Sequence, residues 1–356
     1  MEQSESLPQR GIIEGYYGTP WDWTARAQTL QFLAPHGYRF YLYAPKADEF
    51  LRRRWREPHP ADIFEPLEKF ARQCRETGVA FGVGLSPYEI YRGFDDAAKR
   101  DLTAKLAQLD ALKPDMLAIL FDDMRGDLPK LAQTQSAITH WMAERTHAKH
   151  IILCPTYYSD APLLDKVFGA RPQNYLEELG EALDPAIAMF WTGDKICTRE
   201  FTPGHLARVG EQMRRKPFLW DNYPVNDGPR MSPFLHLRAF TGRPAAIGAH
   251  IAGHAVNPAL QPVLSRIPML TLAQSYARGS TYDHDAAFVR AAQTVTTPEL
   301  ARALQDDLGL LQDTGLDNLG DAAEHLRTRY AQFDHSAARE ILAWLNGAYR
   351  FTGEML

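Results

Sequence analysis

Eight short apolar runs recur along this chain, at residues 11–17 (GIIEGYY), 39–44 (RFYLYA), 80–85 (AFGVGL), 116–121 (MLAILF), 150–154 (HIILC), 186–191 (AIAMFW), 217–220 (PFLW) and 245–251 (AAIGAHI). Most are continuous rather than alternating. Continuous runs mark strands buried on both faces, as in parallel sheets covered by helices. Their starts lie about 28 to 41 residues apart, room for a loop and a crossover helix each time. Two of the gaps, 96–112 and 129–144, carry apolar residues at helical spacing, and the first ends before Pro114. Eight such units in series predict α/β architecture: a closed (β/α)8 TIM barrel. An open doubly wound sheet is the alternative. It would normally offer a glycine-rich phosphate turn after its first strand, and GYYGTPW is not GxGxxG.

The chain has 356 residues, more than the roughly 250 of a plain barrel. Beyond residue 278 the texture changes. Residues 283–295, 298–312, 319–333 and 336–349 read as amphipathic helices with no strand candidate between them. The expected organisation is a catalytic barrel over 1–278 and a C-terminal α-helical region over 279–356. Three uses are open for that region: a homodimer interface, a wall on the leaving-group side, or packing alone.

Composition narrows the function. Hydrophobic residues make up 45% and charged residues 23%, which excludes global disorder. A net charge of -5 argues against a nucleic-acid partner. Cys74, Cys154 and Cys197 are too few and too scattered for a disulfide framework or a zinc cluster. No apolar stretch of about 18 residues suggests a membrane span, and the polar N-terminus lacks the apolar run of a signal peptide. The expected setting is cytoplasmic, with no membrane partner, no metal and no cofactor.

In a barrel the active site gathers at the C-terminal ends of the strands. Those ends supply Glu14, Gly15 and Tyr16; Tyr43, Pro45, Lys46 and Asp48; Asp122 and Asp123; Thr156, Tyr157 and Tyr158; Trp191 and Asp194; Trp220, Asp221, Asn222, Asn226 and Asp227; His254 and Asn257. Aromatic faces with carboxylates and amides suit a carbohydrate. Asp122-Asp123 is the sharpest feature. Adjacent strand residues face opposite ways, so both reach one pocket only where the strand ends and the chain turns. Two close carboxylates resist ionising together, and one should keep its proton at neutral pH, giving an acid beside a carboxylate. A helix cap with a solvated aspartate, or a Mg2+ site, is the competing reading of the same dipeptide.

GIIEGYYGTPW, YLYAPKADEF with RRRWREP, LAILFDDM, LCPTYY, FWTGDK, LWDNYPVND and the later VNP stand in order between about residues 11 and 275. Together they resemble glycoside hydrolase family 84, the β-N-acetylglucosaminidases that include the O-GlcNAc hydrolases. The resemblance implies a retaining exo-acting enzyme working by substrate-assisted catalysis, an exception to the two-carboxylate scheme. Asp122 would orient the 2-acetamido N–H, whose carbonyl oxygen attacks the anomeric carbon to form an oxazoline. Asp123 would protonate the leaving oxygen and then activate water. Gly15 would let its backbone approach a hydroxyl, Lys46 would donate to one near the acid, and Tyr158 would bond the acetamido oxygen. Trp220 would wall the N-acyl methyl, Asn222 would contact the sugar or the acids, Asp227 would accept from two hydroxyls at the non-reducing end, and Asn257 would bind another hydroxyl. The implied substrate is a GlcNAc-containing glycoconjugate or an O-GlcNAc-modified protein.

The chain departs from the family pattern at Ala47-Asp48, where two acidic residues are common, and at Asp194, where proline is usual. His250 and His254 have the i, i+4 spacing of a zinc helix but lack its glutamate and fall at a strand end. Arg52–Arg54 and Arg56 read as a solvated or ion-paired surface segment. Cys154 reads as a small core residue, and Trp21 and Trp23 as either structural or pocket-shaping. Two alternatives to the glycosidase remain: a GlcNAc-binding module without useful catalysis, and an endo-acting hexosaminidase or hyaluronidase-type hydrolase.

Overall fold

The computed structural model describes residues 9–351 and 353. Eight parallel strands close into a barrel in sequence order: β1 (Gln9–Glu14), β2 (Tyr38–Tyr43), β3 (Ala80–Leu85), β4 (Met116–Leu120), β5 (His150–Cys154), β6 (Ala188–Trp191), β7 (Phe218–Asp221) and β8 (Gly253–Val256). The fold is the expected (β/α)8 barrel, and β1 meets β8 to complete the ring. Helices follow the strands and are started by local signals. Asp22 accepts a hydrogen bond from the Ala25 amide at the head of Trp23–Leu33, Asp95 does the same for Ala98 at Asp96–Asp110, and Thr202 precedes Pro203 at Pro203–Met213.

Two apolar cores explain why the strand runs are continuous. Phe40, Leu42, Met116, Ala118, Leu120, Ile152, Phe190, Phe218 and Ala255 fill the barrel interior. Their neighbours in sequence, among them Tyr41, Tyr43, Leu117, Ile119, Leu153, Met189 and Leu219, join the core between barrel and helices. Both faces of most strands are therefore apolar, and residue parity decides which core a side chain enters.

The eighth strand is a correction. Residues 245–251 do not form it; Ala245–His250 is a short 3-10 helix, and the strand is the next segment, Gly253–Val256. Its sequence, GHAV, hides its burial. Gly253 faces the Phe218 ring, which leaves no room for a side chain, and His254 is buried in a polar network. The apolar index of this segment is low because its neighbours supply the bulk.

Beyond Arg266–Arg278 come helices His284–Val295, Pro298–Asp306, Ala322–Tyr330 and Ser336–Leu345, with no strand among the described residues. Ser336–Leu345 and the turn Gly309–Thr314 brace the loops after β7 and β8. The Glu340 carboxylate accepts from the Val263 and Leu264 amides at 2.9 Å each. The Gln312 side-chain oxygen accepts from the Leu237 and Arg238 amides at 2.8 Å each. Among the described residues no helix is long and apolar enough to cross a membrane.

Candidate active site

Parity carries the barrel interior up to its mouth. The inward series Met116, Ala118, Leu120 continues to Asp122; Phe40, Leu42, Ala44 continues to Lys46; Phe218, Trp220 continues to Asn222; Gly253, Ala255 continues to Asn257. Asp123 would face outward on a regular strand. It instead sits in a turn with φ at 59°, a left-handed conformation that aspartate tolerates better than most residues. Both carboxylates thus reach one cavity, as the dipeptide and its polar sequel suggested.

That cavity has a volume of about 580 Å3, within the range of small-molecule sites. Gly15, Lys46, Asp122, Asp123, Tyr158, Trp220, Asn222, Asp227 and Asn257 all line it. Every residue to which the resemblance assigned a role is therefore brought together. Leu163, Val167, Phe168, Pro229 and Met231 complete its upper walls.

The acids share one cation. Lys46 Nζ forms a close ion pair with Asp122 Oδ2 and lies 3.1 Å from Asp123 Oδ2. Tyr17 donates its hydroxyl to Asp123 Oδ2 at 2.5 Å, and Arg52 stands 4.0 Å from the same oxygen. Asp122 Oδ1 is buried and accepts nothing from the described residues. Burial pushes the Asp122 carboxyl above its ordinary value; Lys46 opposes this and the charge on Asp123 reinforces it. Burial also acts to raise Asp123, but Lys46, the Tyr17 hydroxyl and Arg52 outweigh it and hold that carboxyl low. The pair titrates as a unit, and in the free chain its proton favours Asp122. Lys46 keeps its charge despite burial because both acids stabilise it.

A second network forms the opposite wall. Asn257 Oδ1 accepts from the Gly15 amide at 3.1 Å, Asn257 Nδ2 donates to Asn222 Oδ1 at 2.9 Å, and Trp220 Nε1 donates to the same oxygen at 3.0 Å. The glycine leaves room here for the indole. A Cβ at position 15 would stand 1.9 Å from the Trp220 ring. The Gly15 amide already has its acceptor in Asn257, so a backbone approach to a hydroxyl would run through the Gly15 carbonyl. Asp227 Oδ2 accepts from the Tyr17 amide at 2.7 Å, and burial pushes its carboxyl up to about 6.

Several strand-end candidates stand outside the pocket, most of them on the wrong parity. Glu14 is buried against Arg26 at 2.7 Å, with Tyr16 donating to Oε2 and Tyr41 to Oε1. Asp221 pairs with Arg243 at 2.7 Å and with His254 at 3.0 Å. Asp48 caps the turn at Phe50 and meets His59, and Trp191 donates to His205. Asn226 binds Phe234 and Gln261, while Tyr157 donates to the Gly169 carbonyl. Trp21 donates to the Ala259 carbonyl, and Trp23 stacks on Tyr43. Asp194 bonds Thr198 in the loop after β6. Among the described residues no group of three His, Cys, Asp or Glu side chains could hold a metal.

Two functional residues were missed. Tyr17 follows Ile13 and Gly15 at the inward spacing, so the sequence carried its signal. Arg52 sits in what reads as a solvated basic run, yet it is buried against Tyr17. Its neighbours fit that run better: Arg54 pairs with Glu57 and Arg56 with Asp101 at the surface.

Comparison with known proteins agrees with this arrangement. The family model described as NAGidase, beta-N-acetylglucosaminidase, matches residues 10–307. The chain is 28% identical over 275 residues to Protein O-GlcNAcase of Rattus norvegicus, a match covering 75% of this chain and 30% of that relative. The Mus musculus protein of the same name matches to the same extent. The chain thus spans less than a third of the length of these relatives. Among solved structures, an O-GlcNAc hydrolase of Thermobaculum terrenum superposes with a TM-score of 0.79 at 26% identity, over 96% of this chain and 81% of that one. CpGH84B shares the fold, with a TM-score of 0.75 at 22% identity, over 96% of this chain and 66% of that one. With the family model covering most of the barrel and beyond it, the chain belongs to the β-N-acetylglucosaminidases of glycoside hydrolase family 84.

Proposed function

We propose that this chain is a retaining exo-β-N-acetylglucosaminidase that removes terminal β-linked GlcNAc, as from an O-GlcNAc-modified protein or another glycoconjugate, through an oxazoline. The observation that carries this reading is the unpartnered, buried Oδ1 of Asp122 beside a second carboxylate. A buried acceptor without a donor is costly, and a substrate amide N–H supplies what it lacks.

The steps follow from the two acids. The acetamido N–H donates to Asp122, and its carbonyl oxygen attacks the anomeric carbon from within the substrate. The new bond from that oxygen to the anomeric carbon forms as the glycosidic bond breaks. Asp123 gives its proton to the leaving oxygen. Water then attacks the anomeric carbon, returns a proton to Asp123, and reopens the ring to the acetamide with retention. Holding the amide in reacting geometry replaces a bimolecular encounter, and ionised Asp122 stabilises the positive charge on the forming oxazoline.

The free chain favours the proton on Asp122, whereas the reaction needs it on Asp123. Substrate itself reverses the order. An N–H donated to Asp122 stabilises its charged form, and a sugar covering Asp123 takes water from it and raises its pKa. Tyr158 accounts for the acetamido oxygen and Trp220 for its methyl. Asn222 holds Asn257 and the indole in place for the sugar, and Asp227 accepts from hydroxyls at the non-reducing end. Asp227 closes that end, which favours exo- over endo-action.

The test is turnover of aryl N-acetyl-β-glucosaminides beside the matching aryl β-glucosides, which carry a 2-hydroxyl. Cleavage of the first alone is expected. Equal turnover of both would remove the acetamido group from the mechanism, and tight GlcNAc binding with no turnover would leave a binding module.

A further inference from the structure

We infer that a second cavity beyond Asp123 is the leaving-group subsite, and that Tyr88 and Tyr91 form its platform for a second sugar ring. The inference rests on the glycosidase reading, since it takes Asp123 as the group that protonates the departing oxygen.

This cavity has a volume of about 380 Å3 and is lined by Tyr88, Tyr91, Asp123, Met124, Arg125, Asp127 and Val167 to Gly169. It shares Asp123, Val167 and Phe168 with the catalytic pocket. Whatever oxygen Asp123 protonates therefore has the rest of its leaving group on this side.

The lining suits a carbohydrate. Tyr88 and Tyr91 are both partly exposed, and neither hydroxyl makes a hydrogen bond among the described residues. Partly exposed tyrosine faces stack on the C–H faces of a pyranose while their hydroxyls bond its edge. Phe168 and Val167 supply the apolar side; Val167 is 46% exposed, unusual for a large apolar residue here. Arg125 and Asp127 form a forked pair at the outer edge, with Nη2 to Oδ2 at 3.1 Å, which offers donors and acceptors to ring hydroxyls.

The two tyrosines are held in place. Tyr88 precedes the turn Ile90–Arg92 and Tyr91 lies within it, and Glu89 between them has φ at 59°. That conformation is uncommon for glutamate and is secured by its ion pair to Arg92 at 2.8 Å. The Trp55 indole donates to the Tyr88 carbonyl at 3.2 Å, and Arg52 lies over the Tyr88 ring.

The direction of the cavity separates a sugar from a polypeptide. A residue inside a polypeptide continues in two directions from its linking oxygen, whereas a sugar chain continues in one. Around Asp123, the side facing Tyr17, Lys46 and Arg52 is filled by those side chains, and Lys46 and Arg52 are buried. The side of Tyr88 and Tyr91 opens into the second cavity, where a continuing chain can run.

The experiment compares three substrates: N-acetyl-β-glucosaminyl fluoride, whose leaving group fills no subsite, a β-1,4-linked GlcNAc disaccharide, and a GlcNAc-serine peptide. The wild-type chain and the Tyr91→Ala and Tyr88→Ala/Tyr91→Ala variants are assayed. The ratio of kcat/KM for the disaccharide to that for the fluoride should fall roughly ten- to a hundred-fold in the double variant, mostly through the disaccharide. The same ratio for the peptide should change less than three-fold. Hydrolysis of the fluoride with an unchanged disaccharide ratio overturns the subsite. An equal fall for the peptide overturns the sugar assignment. No hydrolysis of the fluoride by the wild-type chain overturns the glycosidase reading itself, a distinct result. Circular dichroism and the fluoride rate together show whether the variants fold.

Discussion

Two buried acidic sites lie at strand ends on the same rim, and they differ in how completely they are answered. Glu14, ending β1, has Arg26 across both oxygens at 2.7 and 3.0 Å and a tyrosine hydroxyl on each. Asp122 and Asp123, after β4, divide one close cation between two carboxylates and leave Asp122 Oδ1 with no donor among the described residues. The first arrangement has nothing left to bind and belongs to the scaffold. The second is stabilised only in part, so a ligand can complete it. Burial alone does not mark a functional acid; the deficit of partners does.

The sharpest break in this comparison comes from Asp123→Ala. On GlcNAc with an alkyl leaving group, kcat/KM should fall roughly 100- to 10,000-fold, the usual worth of a general acid. On a dinitrophenyl leaving group, which departs without a proton, kcat/KM should fall far less. Uniform loss across leaving groups would reassign Asp123. Asp122→Asn should slow all of these substrates by roughly 100- to 1,000-fold while unfolding no earlier in urea.

Arg26→Met tests the other half. It strands the Glu14 carboxylate in the core, and breaking a buried pair costs about 3–5 kcal/mol. Chemical denaturation should show that loss, and a variant as stable as the parent would erase the distinction drawn between the two sites.

A smaller effect concerns pH. In the proposed mechanism the singly protonated pair is the active form, so kcat/KM should be bell-shaped, falling as the second proton binds and as the first is lost. Lys46 favours both ionised carboxylates. Removing it in Lys46→Met raises both pKa values, so both limbs should move to higher pH along with a general loss of rate. Limbs that stay in place would mean that Lys46 does not face the titrating groups.

The least effect is expected at Glu340, which burial pushes from 4.5 up to about 7 in spite of its two amide donors and Arg266. A folded pKa above the unfolded one means stability present in acid and lost as pH rises from about 4.5 through 7. Tm should drop over that span, by roughly 2–4 °C for each kcal/mol lost. Glu340→Gln should show a shallower drop, and an equal slope would place the titrating group elsewhere.

The fold was legible because both cores announce themselves in continuous apolar runs. The exception is instructive: β8 reads GHAV, and its burial rests on Phe218 and Asp221 from β7, which no local pattern reports. The site was legible through resemblance and through the strand ends, but the strand-end rule alone gave Glu14, Asp221 and His254 the same standing as Gly15, Asn222 and Asn257. One residue of parity separates these sets. Counting in twos from Ile13, Phe218 and Ala255 sorts them correctly and also finds Tyr17. Arg52 and the partners of the acids depend on loops that fold back over the rim, and nothing in the order of residues encodes that return.

The contact between Gly15 and Trp220 has a consequence for substrate range. The two are 205 positions apart in the chain, yet the absent methyl of one is the space occupied by the indole of the other. In the proposed reading, where Trp220 walls the N-acyl group, a single added carbon at position 15 would displace that wall. Gly15→Ala would then act as a size filter, penalising propionyl and butyryl amides more than acetyl, and acyl selectivity would be adjustable from a strand that never touches the acyl group.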